Sequence, residues 1–145
     1  MRRILNNDTA FSLLRAGTAL GFTLFICVVM LRPELQTIAG IPILKIAAQY
    51  HVSLLGHVFT FALLFTLWCW ALIPHFRASA APFIALLIVM TLGTMGEFLQ
   101  MFIAGRYASA ADMIANGAGI VLAWWMWRTL SLTVTRRYAT LLCPA

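Results

Sequence analysis

Acidic side chains are nearly missing from this chain: four Asp and Glu stand in 145 positions, against ten Lys and Arg. Charge of either sign makes up 10% of the sequence, too little to coat a water-soluble domain. Cysteine is scarce as well. Cys27 and Cys69 fall inside apolar runs and Cys143 in the tail, without a CxxC spacing, which argues against a disulfide framework or a thiolate metal site. One histidine and two acids without compact ligand spacing give no recognisable metal centre, and no cofactor is implied. No serine or cysteine in the apolar runs stands at a readable spacing from a base, so nucleophilic catalysis has no support.

What the chain has is hydrocarbon. Hydrophobic residues make up 63% of it and the mean hydropathy is +0.94, which describes an integral membrane protein. The net charge of +6 does not point to nucleic acid, because the basic residues are scattered at the ends of apolar runs and build no patch interleaved with aromatics. Arg2 and Arg3 precede an apolar run as in a secretory signal, but Asn6-Asn7-Asp8-Thr9 intervenes and no convincing small-residue cleavage site follows. An uncleaved first span is expected.

The reading is all-α: a four-helix transmembrane bundle forming a single domain over residues 1–145, with spans at about 14–31, 52–73, 82–103 and 112–130. The first run ends at Arg32-Pro33-Glu34, and Arg15 can snorkel to the headgroups. Leu35 to Tyr50, with Pro42 and Lys45, suits an interfacial loop or short surface helix. Val52 to Ile73 and Pro82 to Ile103 are each long enough, at about 1.5 Å rise per residue, to cross a hydrocarbon core of about 30 Å. Trp124, Trp125 and Trp127 suit an aromatic belt at the far end of the fourth span. Placing both termini in the cytoplasm puts seven Lys and Arg inside and three outside, the arrangement favoured for membrane topology. The tight turn Ala104 to Ala111 then faces the exterior.

Against this background, the stretch from Glu97 to Gly119 concentrates the chemistry. Glu97 and Gln100 lie three apart and Asp112 and Asn116 four apart, so each pair shares one helix face, and Arg106 sits in the turn between them. His57 lies about six residues into the second span and Glu97 about six before the end of the third, at a common depth. Small residues accompany them: Gly17 and Gly21 on the first span, Gly93 and Gly96 on the third, and Ala111, Ala115, Gly119 and Ala123 on the fourth. The last two sets would let the third and fourth spans approach closely. Structural alternatives stand beside each residue. Glu97 can pair with Arg106, His57 can be a hydrogen-bonded core residue, Asp112 can be a helix N-cap, and Gln100 and Asn116 can cross-link helices. Intramembrane ionisable groups are nonetheless expected to be functional.

Glu97-x-x-Gln100 followed by Arg106, Asp112, Asn116 and Gly119 resembles the E-x-x-Q, R, D, N, G signature of the VanZ-like membrane proteins, over the second to fourth spans. His57 with Phe61 four residues later resembles the family's histidine, whose later partner is commonly tyrosine. The Asp-Lys pair often found shortly before that histidine is replaced here by Ser53-Leu54. The resemblance implies a bacterial cytoplasmic-membrane location and an envelope role, the family being named for an accessory protein linked to teicoplanin resistance. It implies no reaction.

Four function classes follow, one of them a pure scaffold whose polar residues only lock helices together. An accessory protein would bind an anionic or lipid-linked envelope precursor through Arg106, Gln100, Asp112 and Asn116, with membrane lipid and envelope-biosynthesis proteins as partners. An enzyme would use Glu97 and His57 as general acid and base on such a lipid. A small proton-linked carrier is the remaining class, disfavoured by four spans without an inverted repeat.

Overall fold

The computed structural model describes residues 2–31, 50–77, 79–103 and 108–142, and the described residues form four α-helices and no strand. In chain order these are α1 (Arg2–Leu31), α2 (Tyr50–Leu72), α3 (Ala81–Gln100) and α4 (Ala110–Leu142). Three stretches, Thr9–Leu31, Leu54–Leu72 and Ala81–Gln100, are long and apolar enough to cross a membrane. The fourth helix is not among them. It carries Asp112 and Asn116 in its first turns and Arg128, Arg136 and Arg137 towards its end, which dilutes its hydropathy although its length of 33 residues exceeds the roughly 20 a span requires.

Helix ends and hydropathy ends do not coincide. Continuous helix begins at Arg2 and passes through Asn6-Asn7-Asp8, and α4 continues beyond the tryptophans to Leu142, because backbone hydrogen bonding is indifferent to where the side chains turn polar. At α3 the boundary is chemical. Pro82 occupies the first turn, where its missing N–H costs nothing. The segment expected to lie along the interface, up to residue 49, falls outside the described residues, as does 104–107 of the turn.

Contacts between named side chains give the topology. His57 on α2 meets Asn116 on α4, and further along the same two helices Phe65 stacks on Trp124 at 6.3 Å, so α2 and α4 run parallel. Phe83 at the start of α3 also meets Trp124, edge-on at 5.1 Å, so α3 runs against both. Trp124 is therefore a half-buried packing residue, while Trp125 keeps an exposed position. A core of Phe61, Leu64, Phe65, Cys69, Val89 and Ile120, with small Ala85 and Ala123, fills the space between these three helices. Lipid is as apolar as leucine, so shape and close contact decide such packing, more than removal from water.

The most extensive interface is α2 with α4, and Gly119 is its tightest point. A Cβ at Gly119 would overlap the Val58 carbonyl oxygen and stand 3.1 Å from the Ala62 backbone nitrogen. Gly119, on a buried small-residue stripe with Ala115 and Ala123, thus opens α4 to the backbone of α2, in addition to the contact of α4 with α3 that the spacing suggested. On α3, Gly93 makes room for the Phe61 ring, 2.8 Å from where a Cβ would stand, and Gly96 faces the Met30 sulfur. The glycines of α1, Gly17 and Gly21, meet nothing within 4 Å.

Helix α1 is the loosest member, with 11% of its apolar window buried. It is tied mainly near one end: Ser12 Oγ lies 2.8 Å from His75 Nε2, Phe11 packs edge-on against Trp70, and the Arg15 guanidinium lies over both rings at 4.6 and 5.2 Å. Trp68 Nε1 donates to Thr23 Oγ1 at 3.2 Å. Between that tie and the meeting of Met30 with Gly96, an apolar cavity of about 220 Å³ is walled by Ile26, Cys27, Met30, Phe61, Leu92 and Gly96, among others.

Gly119→Ala is expected to cost about 1–3 kcal/mol, the usual range for overpacking, because the obstruction is backbone and cannot rotate away. Gly117→Ala, two residues earlier with nothing within 4 Å, should leave stability unchanged or slightly improved. Thermal denaturation of both variants in detergent checks this; equal midpoints would refute the close approach.

Candidate functional site

Polar groups collect where α2 and α4 begin and α3 ends. Three polar residues are buried there among the described residues, Glu97 at 2%, Gln100 at 6% and Asn116 at 4% exposure, with His57 and Asp112 half-buried beside them. Taking such groups from water into hydrocarbon is costly unless they bond one another.

Most of them do. His57 Nδ1 donates to Asn116 Oδ1 at 2.9 Å, joining α2 to α4. In the neutral ring the second nitrogen, Nε2, then presents its lone pair towards Asp112, whose Oδ1 is 4.0 Å away, beyond hydrogen-bond length. Glu97 reaches the other side of the group. Its Oε2 accepts the backbone N–H of Ser109 at 3.1 Å, tying the end of α3 to the start of α4. Ser109 in turn caps α4: its Oγ accepts the Asp112 N–H at 3.3 Å, and its carbonyl accepts the Met113 N–H.

Asp112 is accordingly the third residue of the helix and not its N-cap. Its carboxylate suits the positive first turn while it faces His57. Ser109 had no part in the expected site, although Ser109-x-x-Asp112 before an apolar run is the sequence signature of a helix start. Phe61, one turn beyond His57, is buried and packs into the space left by Gly93. Of the expected residues, Glu97, His57, Asp112 and Asn116 thus share one connected group through Ser109. Gln100 is buried on α3 at the same end. Arg106 lies outside the described residues.

Two polar atoms in this group have no hydrogen-bond partner among the described residues: Glu97 Oε1 and Asn116 Nδ2. Asn116 also borders a small cavity of about 20 Å³, walled by Phe61, Gly93, Thr94 and Met113 among others. That is enough for one water-sized group. No cluster of three or more His, Cys, Asp or Glu suited to a metal ion occurs among the described residues.

The VanZ/LLP1 family model matches residues 19–132, a span that contains all of these residues and most of the chain. The chain belongs to the VanZ/LLP1 family. Searches of curated proteins and of solved structures give no match. The VanZ signature residues Glu97, Asp112, Asn116 and Gly119 all fall at the α2–α3–α4 junction, Gly119 as the contact that lets α4 meet α2 and the others as the polar group beside it.

A double-mutant cycle on His57→Ala and Asn116→Ala is expected to give a coupling energy of about 0.6–1.7 kcal/mol, the range for interhelical hydrogen bonds in membrane proteins. Reversible unfolding in mixed micelles provides the measurement, and additive effects would deny the bond any energetic weight.

Proposed function

We propose that this VanZ-family membrane protein is a cell-envelope accessory protein that binds an anionic or lipid-linked envelope precursor through its polar junction, in the outer leaflet of the bacterial cytoplasmic membrane. The observation that carries this reading is the pair of buried polar atoms left without partners, Glu97 Oε1 and Asn116 Nδ2. A group that served only to lock helices together would satisfy its own members, since each orphaned polar atom costs about 1–3 kcal/mol. Arg106, in the segment between α3 and α4, supplies the positive charge for a phosphate or carboxylate; Gln100, Asp112 and Asn116 complete the contact. A link to glycopeptide resistance, teicoplanin included, belongs to the same proposal, as a consequence of handling such precursors.

The enzyme reading keeps Glu97 as a candidate general base and leaves His57 one nitrogen for the work. One ring nitrogen of His57 is bonded to Asn116, which helps hold α2 against α4, and the other, 4.0 Å from Asp112 Oδ1, makes no hydrogen bond that would keep it from a substrate. Glu97→Gln separates the two readings: loss of turnover with binding retained supports chemistry, and unaffected function removes Glu97 as a catalyst.

Orientation comes first. Single cysteines at Ala108 and Ser79, both exposed and free of the capping role of Ser109, should differ in spheroplasts of an otherwise cysteine-free protein. A membrane-impermeant maleimide is expected to label position 108 and spare position 79. The reverse pattern would move the junction to the inner leaflet and defeat the exterior-ligand reading. With the orientation established, Arg106→Gln is expected to weaken binding of phosphatidylglycerol by about tenfold, the worth of one charge-assisted contact, measured by native mass spectrometry. Unchanged binding would remove Arg106 from the site.

A further inference from the structure

We infer that the polar junction is built to receive a primary ammonium group carried on a phosphate-bearing headgroup, with Glu97 Oε1 accepting from the ammonium and Asn116 Nδ2 donating to an oxygen of the same headgroup. This rests on the headgroup-binding reading above and adds the chemistry of the group that enters between α3 and α4.

The two orphaned atoms are complementary in kind. Glu97 Oε1 can only accept while the carboxylate is ionised, and Asn116 Nδ2 can only donate. They belong to one seam, because Asn116 Nδ2 lies 3.4 Å from where a Gly93 Cβ would stand, and Gly93 and Glu97 are four residues apart on one face of α3. Both side chains are more than nine-tenths buried, so neither atom is left to bulk water. The ligand they define presents a donor towards Glu97 and an acceptor towards Asn116.

Charge distinguishes an ammonium from a hydroxyl. Glu97 takes one hydrogen bond, from the Ser109 N–H, and no salt bridge joins its carboxylate to a lysine or arginine among the described residues. A hydroxyl would fill the acceptor position without bringing a cation to a carboxylate that meets none among the described residues. An ammonium fills the position and supplies the opposite charge together. On the Asn116 side, the cavity of about 20 Å³ has room for a water-sized group such as one oxygen. A phosphoethanolamine headgroup has both parts, an N–H-bearing cation and phosphate oxygens a few bonds away.

The test compares headgroups that share a phosphate diester and differ in the terminal group. Full-length protein in detergent is titrated with phosphatidylethanolamine, phosphatidylcholine and phosphatidylglycerol of identical acyl chains, and lipid adducts are followed by native mass spectrometry. Phosphatidylethanolamine is expected to bind about tenfold more tightly than phosphatidylcholine, whose trimethylated nitrogen is cationic without an N–H. Soluble phosphoethanolamine should compete where phosphocholine does not, which separates headgroup recognition from retention by the acyl chains. Glu97→Gln should abolish the preference for phosphatidylethanolamine over phosphatidylcholine. Equal affinity for the first two lipids in the unaltered protein, tighter binding of phosphatidylglycerol than of phosphatidylethanolamine, or a preference that survives Glu97→Gln would each overturn the ammonium site. Loss of phosphatidylglycerol binding with the ammonium preference intact would count against the anionic-precursor reading alone.

Discussion

The approach of α4 to the backbone of α2 at Gly119 is the constraint on which the remaining arrangement depends. With no side chain at that position, the Val58 carbonyl and the backbone of α4 come into direct contact, and two parallel helices held that closely cannot slide past one another. Their relative depth is thereby set. His57, one residue before Val58, and Asn116, one turn before Gly119, are brought to 2.9 Å. A hydrogen bond across helices in lipid is worth about 1 kcal/mol, too little to assemble the bundle; close packing does that, and the bond then has a fixed geometry in which to form.

Helix α3 joins this pair in a different way. Its contribution at the core is by subtraction, since Gly93 accommodates the Phe61 ring, and its contribution at the junction is a single acid whose Oε2 accepts the Ser109 N–H just before α4. One carboxylate oxygen is spent on structure and the other has no partner among the described residues.

Much of this was legible in the sequence, and the failures are physical. Hydropathy found the three apolar spans because lipid demands long apolar helices, but it placed helix ends by polarity, and α1 and α4 run past those limits because a backbone helix continues through Asn6 or Arg128 as readily as through leucine. Helical spacing put Glu97 with Gln100, and Asp112 with Asn116, on common faces. It could not say which neighbour each face would meet, so the stripe through Gly119 was read towards α3 alone, when its tightest approach is to α2. Ser109 was overlooked because a serine in a short connection looks like filler until the helix start is located. Trp124 shows a further limit: three tryptophans near a span end suggest an interfacial belt, but their spacing does not say that one of them also packs against the Phe65 and Phe83 rings.

The gap beside α1 changes how that helix is held. Between its ties at Phe11, Ser12 and Thr23 and the meeting of Met30 with Gly96, a space of about 220 Å³ stays unfilled by side chains. The helix is fastened at points and not along a continuous seam, so losing one tie removes a larger share of its seating than losing one core residue removes from α2 or α4.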